Sequence, residues 1–254
     1  MADAPESRMS FTDHLGELRH RLIICIVAIL LATSIAFFFS PQILKLLLLP
    51  SGGLHLRAFG LMDGFLIKWR IALYAGFVIA LPVWGVQLYR FVTPALLPHE
   101  RRAAVPALVW STLLLLAGTA FGYYLLWGMI RTLLWFFPPE IEYLPSSDNY
   151  IGFVVFFLLA CGLVFLFPAV ILLLVRIGLL STETLRRQRK IAYFILFAVS
   201  EIITPVADPI VAPLTFMLPL VILYEGSLFF ARRIEARRKA EERLADDDSI
   251  DSLV

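Results

Sequence analysis

Between Leu22 and Phe39 the chain carries no charged residue, no glycine and no proline. A helix rises about 1.5 Å per residue and the hydrocarbon core of a bilayer is about 30 Å thick, so about 20 apolar residues cross it. A run of this kind reads as a membrane span. Five more follow: Leu66–Gly85, with Lys68 and Arg70 near its start, Ala103–Trp127, Ile151–Val175, Ile191–Ile203 and Ile210–Phe230. The fifth is short, reaching only about 20 Å. The last two form either a pair of spans or one hairpin dipping from a single face. The composition agrees. The chain is 60% hydrophobic and 17% charged, against roughly 45–50% and 25% in soluble domains, and its mean hydropathy is +0.83. A net charge of +2 gives no sign of a nucleic-acid partner. The polar segment ahead of the first run holds acidic residues and no small-residue cleavage site follows, so the run is expected to remain as a span.

The positive charges set the orientation, because cytoplasmic loops carry the excess of Lys and Arg. With six spans and both termini inside, the cytoplasmic side holds Arg8, Arg19 and Arg21, then Arg90, Arg101 and Arg102, then Arg176 and the cluster Arg186 to Lys190, then the basic residues after Phe230. Only Lys45, Arg57, Lys68, Arg70 and Arg131 fall on the other side. The fold expected is an all-α integral membrane protein with both termini cytoplasmic. Residues 1–230 form the membrane domain, and 231–254 a charged tail that frays into a disordered acidic end.

Few residues offer chemistry. The spans contain no histidine and no aspartate pair, which removes the constellations an intramembrane protease needs. His14, His99, Cys25 and Cys161 have no neighbours at metal-ligand spacing, so no metal, cofactor or catalytic residue is expected. A proton-coupled or small-solute transporter is the alternative class, but no internal repeat supports it. Pro50 ends a leucine run interrupted by Lys45, which reads as an amphipathic segment lying in the outer interface. Pro82, Pro106 and Pro168 are expected to kink or tilt their helices.

Three stretches resemble the TatC family: HLGELRHRL (His14–Leu22), FVTPALLPHERR (Phe91–Arg102), and ITPVADP followed by LPLVILYE (Ile203–Glu225). They occur in this order before the first span, before the third span and around the sixth. The resemblance implies a cupped bundle of tilted helices in a bacterial or archaeal cytoplasmic (inner) membrane. It implies a receptor for twin-arginine signal peptides of folded cargo and the assembly core of the Sec-independent translocase. Its partners would be single-span subunits of the TatA and TatB kind and further copies of itself in a larger complex.

On that resemblance Glu17 and Glu100 match the signal-peptide site. A carboxylate answers a guanidinium with two parallel charge-assisted hydrogen bonds. From the residues alone, Glu17 pairs equally well with Arg21 one turn on, and Glu100 suits a helix N-terminus. Arg19 either orders Glu17 or touches lipid phosphate. Phe91 and Pro94 belong to the second motif, and Phe91 either packs on the signal peptide or is an interfacial aromatic. The family's span-four acid is replaced here by Leu166, whereas Glu201 stands in span five at similar depth. A carboxylate there costs about 2.5–3.5 kcal/mol, so Glu201, with Thr204 and Pro205, is expected to anchor a polar residue of a partner helix. The plainer reading has Glu201 protonated and bonded to Thr204 or Ser200.

Overall fold

The computed structural model describes residues 11–92, 104–135, 138, 144–176, 178–203 and 211–251. The first helix, α1 (Phe11–Leu48), is longer than its apolar centre. Pro41 lies inside it, although proline removes a backbone donor and crowds the carbonyl four residues earlier. That carbonyl belongs to Phe37, and the Ser40 hydroxyl donates to it at 2.8 Å. The helix therefore continues through the leucine run. The leucine run expected in the outer interface forms the last turns of α1. A 3-10 turn, Leu49–Ser51, ends it, with Gly52 left-handed at φ 64°. Terminal helix carbonyls need partners, and two tyrosines supply them: Tyr123 donates to the Leu46 carbonyl at 2.9 Å and Tyr150 to that of Leu47 at 3.2 Å.

The second span is a bent pair, α2 (Asp63–Ile79) and α3 (Leu81–Val92), with 52° between their axes. Pro82 is the second residue of α3. The helix breaks just before it, where its ring would otherwise meet the Val78 carbonyl. The Trp84 indole N–H donates to the Phe77 carbonyl at 3.1 Å, so a carbonyl beside the break keeps a partner. In α4 (Ala104–Trp135) Pro106 is the third residue, and in a first turn a missing N–H costs nothing. The fourth span divides at Leu166 into α5 (Ser147–Phe165) and α6 (Phe167–Arg176), with Pro168 second in α6. A short helix, α7 (Thr182–Arg187), precedes α8 (Arg189–Ile203) and α9 (Val211–Asp251). The boundary expected after Phe230 falls inside α9.

Lipid gives helices no hydrophobic reason to associate, so close backbone approach and polar contacts hold them together. Small residues permit that approach. A Cβ on Gly76 of α2 would stand 2.6 Å from the Thr33 nitrogen of α1. Gly118 and Gly122, one turn apart on α4, face the Cys161 region of α5, where added Cβ atoms would lie 2.7–2.8 Å from Cys161 atoms. Tyr74 joins α2 to α4 through Thr119 at 3.3 Å. Phe121, Phe157, Phe165 and Phe216 then fill the centre between α4, α5 and α9, with ring centroids 5.3–6.2 Å apart. Large apolar side chains such as Leu31, Ile35 and Phe38 point outward, as a lipid-facing surface requires.

Among the described residues four helices are long and apolar enough to cross a membrane, and the bent pair makes five. The remaining expected span is α8, whose 15 residues extend only about 22 Å.

Candidate functional site

The bend between α2 and α3 places the end of α3 against the start of α1, and a polar cluster forms there. Glu17 and Arg21 sit one turn apart on α1. The Arg21 guanidinium reaches Glu17 Oε1 through Nε at 2.9 Å and also through Nη2. Its other arm, Nη1, donates to Gln87 Oε1 of α3 at 3.3 Å. The intrahelical pairing open to Glu17 is thus formed, and it is tied across to a second helix, which spacing along α1 did not reveal. Arg19 is exposed and Phe91 is half-buried near the end of α3. Pro94 and Glu100 lie outside the described residues, as do Thr204 and Pro205.

A second polar cluster binds α7, α8 and α9 at the same end of the bundle. Glu225 of α9 accepts from Arg189 Nη2 at 2.8 Å and from the Tyr193 hydroxyl at 2.7 Å. Arg189 and Tyr193 are one turn apart, so one face of α8 presents both donors to a single carboxylate. Tyr224 donates to the Leu185 carbonyl at 2.9 Å. One Glu235 oxygen takes both the backbone N–H of Thr182, at 2.9 Å, and its hydroxyl. Glu225 closes the third of the resembling motifs, and the motif by itself shows no role for it. The available signal was an acid inside an apolar span, which by default has a named partner.

Glu201 stands on the exposed side of α8 and makes no hydrogen bond or ion pair among the described residues. Its neighbour Ser200 is buried and donates to the Leu196 carbonyl at 2.7 Å. Leu166 lies half-buried at the junction of α5 and α6.

At the opposite end, Pro50 is buried in its 3-10 turn. It helps line an open pocket of about 420 Å³ with Gly53, Trp127, Arg131 and Leu144. The two loops of this end are stitched by backbone bonds from Arg57 N to the Pro145 carbonyl (3.1 Å) and from Ser147 N to the Arg57 carbonyl (2.9 Å). Arg70 of α2 pairs with Asp148 of α5 at 2.9 Å, a link that the charge count alone did not show. Among the described residues no group of three metal-ligating side chains exists, and Cys25 and Cys161 are free thiols.

The chain matches the family model "Sec-independent protein translocase protein (TatC)" over residues 13–219. It is 32% identical to the Sec-independent protein translocase protein TatC of Desulforapulum autotrophicum, over 96% of this chain and 92% of that one. It is 35% identical to the protein of the same name from Aquifex aeolicus, over 92% and 98% respectively. Its fold is similar to a crystal structure of the twin arginine translocase receptor TatC, with a TM-score of 0.73, 35% identity, and coverage of 87% of this chain and 99% of that chain.

Proposed function

The chain belongs to the TatC family of Sec-independent protein translocase proteins, and on that premise we propose that the α1–α3 rim is its receptor site for the twin-arginine signal peptides of folded cargo. The observation that carries this reading is the way Glu17 is held: its carboxylate already accepts a guanidinium edge-on. Two guanidinium N–H groups converge on Oε1 there, and a planar guanidinium offers such a carboxylate several fixed donors where an ammonium offers a point contact. In this reading Glu17 takes one signal arginine and Glu100 the other. Arg19 contacts lipid phosphate at the surface, and Phe91 and Pro94 meet the apolar part of the signal.

The reading includes six spans, with α8 as a short fifth, and both termini in the cytoplasm of a bacterial or archaeal cell. Residues 231–254 then serve as a cytoplasmic tail. Glu201 of α8, with Thr204 and Pro205, anchors a polar residue on a single-span partner of the TatA or TatB kind, and several copies of the chain assemble in the working complex. The protein binds and recruits; no catalysis is assigned to it.

Photo-cross-linking of a twin-arginine signal peptide to the full-length protein, with a Lys-Lys peptide as control, tests the rim. Glu17→Ala and Glu100→Ala should each lower cross-linking about tenfold, the scale of one hydrogen bond to a charged group, and the double variant should abolish it. Undiminished cross-linking in a double variant that inserts normally would overturn the assignment.

A further inference from the structure

The carboxylate assigned to the signal peptide is not vacant. Arg21 holds it through two nitrogens on one oxygen, Oε1, and keeps its third nitrogen on Gln87 of the neighbouring helix. The side chains of Arg21 and Glu17 are only 19% and 21% exposed, so the pair is packed against the bundle rather than loose in water. We infer that Arg21 is a built-in competitor: a signal arginine binds Glu17 by displacing a guanidinium that belongs to the protein itself. The inference rests on the assignment of Glu17 as a receptor carboxylate and adds how that site is regulated.

Three features support an exchange. The occupant has the same chemical group as the proposed ligand, so the carboxylate geometry that suits one suits the other. The occupant is tethered one helical turn away, so it returns whenever the site empties. Gln87 offers Arg21 an acceptor that does not depend on Glu17, so the displaced guanidinium keeps a hydrogen bond.

Competition of this kind has a definite signature. A competitor lowers the apparent affinity of every cationic peptide by the same factor and leaves their ratio unchanged. Arg21 therefore sets the threshold for binding, while the fork geometry of the carboxylate sets the preference for arginine over lysine. A peptide of moderate intrinsic affinity, such as one with lysines in place of the arginines, falls below that threshold at working concentrations.

Binding of fluorescent twin-arginine and Lys-Lys signal peptides to the full-length protein in lipid nanodiscs tests this. Arg21→Ala should tighten both peptides by a similar factor, roughly tenfold, which is the factor that 1.4 kcal/mol carries. Arg21→Lys keeps the positive charge but replaces the fork by a point contact, so it should tighten both by a smaller factor. In a Glu17→Ala background, Arg21→Ala should change nothing. Weaker binding in Arg21→Ala would overturn the inference, because Arg21 would then be helping the ligand. Wild-type affinity in Arg21→Lys beside tighter binding in Arg21→Ala would also overturn it, because long-range repulsion would then be the cause. Undiminished binding in Glu17→Ala alone would remove the receptor assignment itself, an outcome separable from the other two.

Discussion

Gly76 shows how much a single missing side chain decides in this bundle. A Cβ there would lie 2.6 Å from the backbone nitrogen of Thr33 and 2.7 Å from its Cα. Backbone atoms of a packed helix cannot swing aside as a flexible side chain does, so α1 and α2 would have to separate. Gly76→Val should destabilise the purified protein by about 1–3 kcal/mol, the usual range for overpacking, read as earlier thermal unfolding in detergent. Gly128→Ala is the matched control: nothing lies within 4 Å of a Cβ at Gly128, and alanine is the better helix former. Equal melting of Gly76→Val and the parent protein would show that the two helices are not locked at this point. Other single residues solve local backbone problems. Ser40 occupies the carbonyl that Pro41 cannot serve, and Trp84 occupies one beside the Pro82 break.

Among the elements, α8 is the one least suited to its surroundings. Its 15 residues fall short of the bilayer core, and Ile191, Phe194, Ile195 and Ile202 project outward together with Glu201. An exposed carboxylate on an otherwise lipid-facing helix is costly unless another polar group meets it. That is the argument for a partner helix at this surface. A hydrogen bond of this sort is worth only about 1 kcal/mol in a membrane, which suits reversible recruitment. Glu201→Ala should therefore reduce co-purification of a single-span partner and slow export, while twin-arginine peptide binding at the rim stays at the parental level. Normal export by Glu201→Ala would end the case for Glu201 as an anchor. The other end of α8 is secured differently, by Arg189 and Tyr193 closing on Glu225, so the change is not expected to unfold the helix.

For the molecule as a whole, the strongest expectation concerns its orientation. The rim and the α7–α9 cluster share one end of the bundle, and most of the described Lys and Arg residues lie toward that end. The Pro50 turn and the paired loops at Arg57 and Ser146 share the other. Single cysteines at His55 and Asn149, both exposed, should react with an impermeant maleimide on intact cells when Cys25 and Cys161 are replaced by alanine. A cysteine at Ser249 should react only after the cells are opened. Labelling of Ser249→Cys from outside would reverse the topology and move the receptor rim to the wrong side for a cytoplasmic signal.

The apolar runs were enough to establish an all-helical membrane protein, because burying that many apolar residues in lipid leaves the backbone no option but internal hydrogen bonding. Three short motifs were enough to indicate the family, and it was that resemblance, not the chemistry of one carboxylate, that singled out Glu17. Pro82 marked the bend correctly, since the ring excludes a straight helix locally. Pro41 shows what the sequence left open, since the effect of a proline depends on whether a neighbour replaces the lost bond: the Ser40 hydroxyl takes the Phe37 carbonyl and α1 runs on through the leucines. Which side chains meet across helices came from the packing. Gln87 reaches Arg21 across 66 positions, Glu225 closes on Arg189 across 36, and Arg70 joins Asp148 across 78. Periodicity gives each helix its outward and inward faces, but these partners come from different helices, and their meeting depends on a 52° bend and on glycines that let backbones touch.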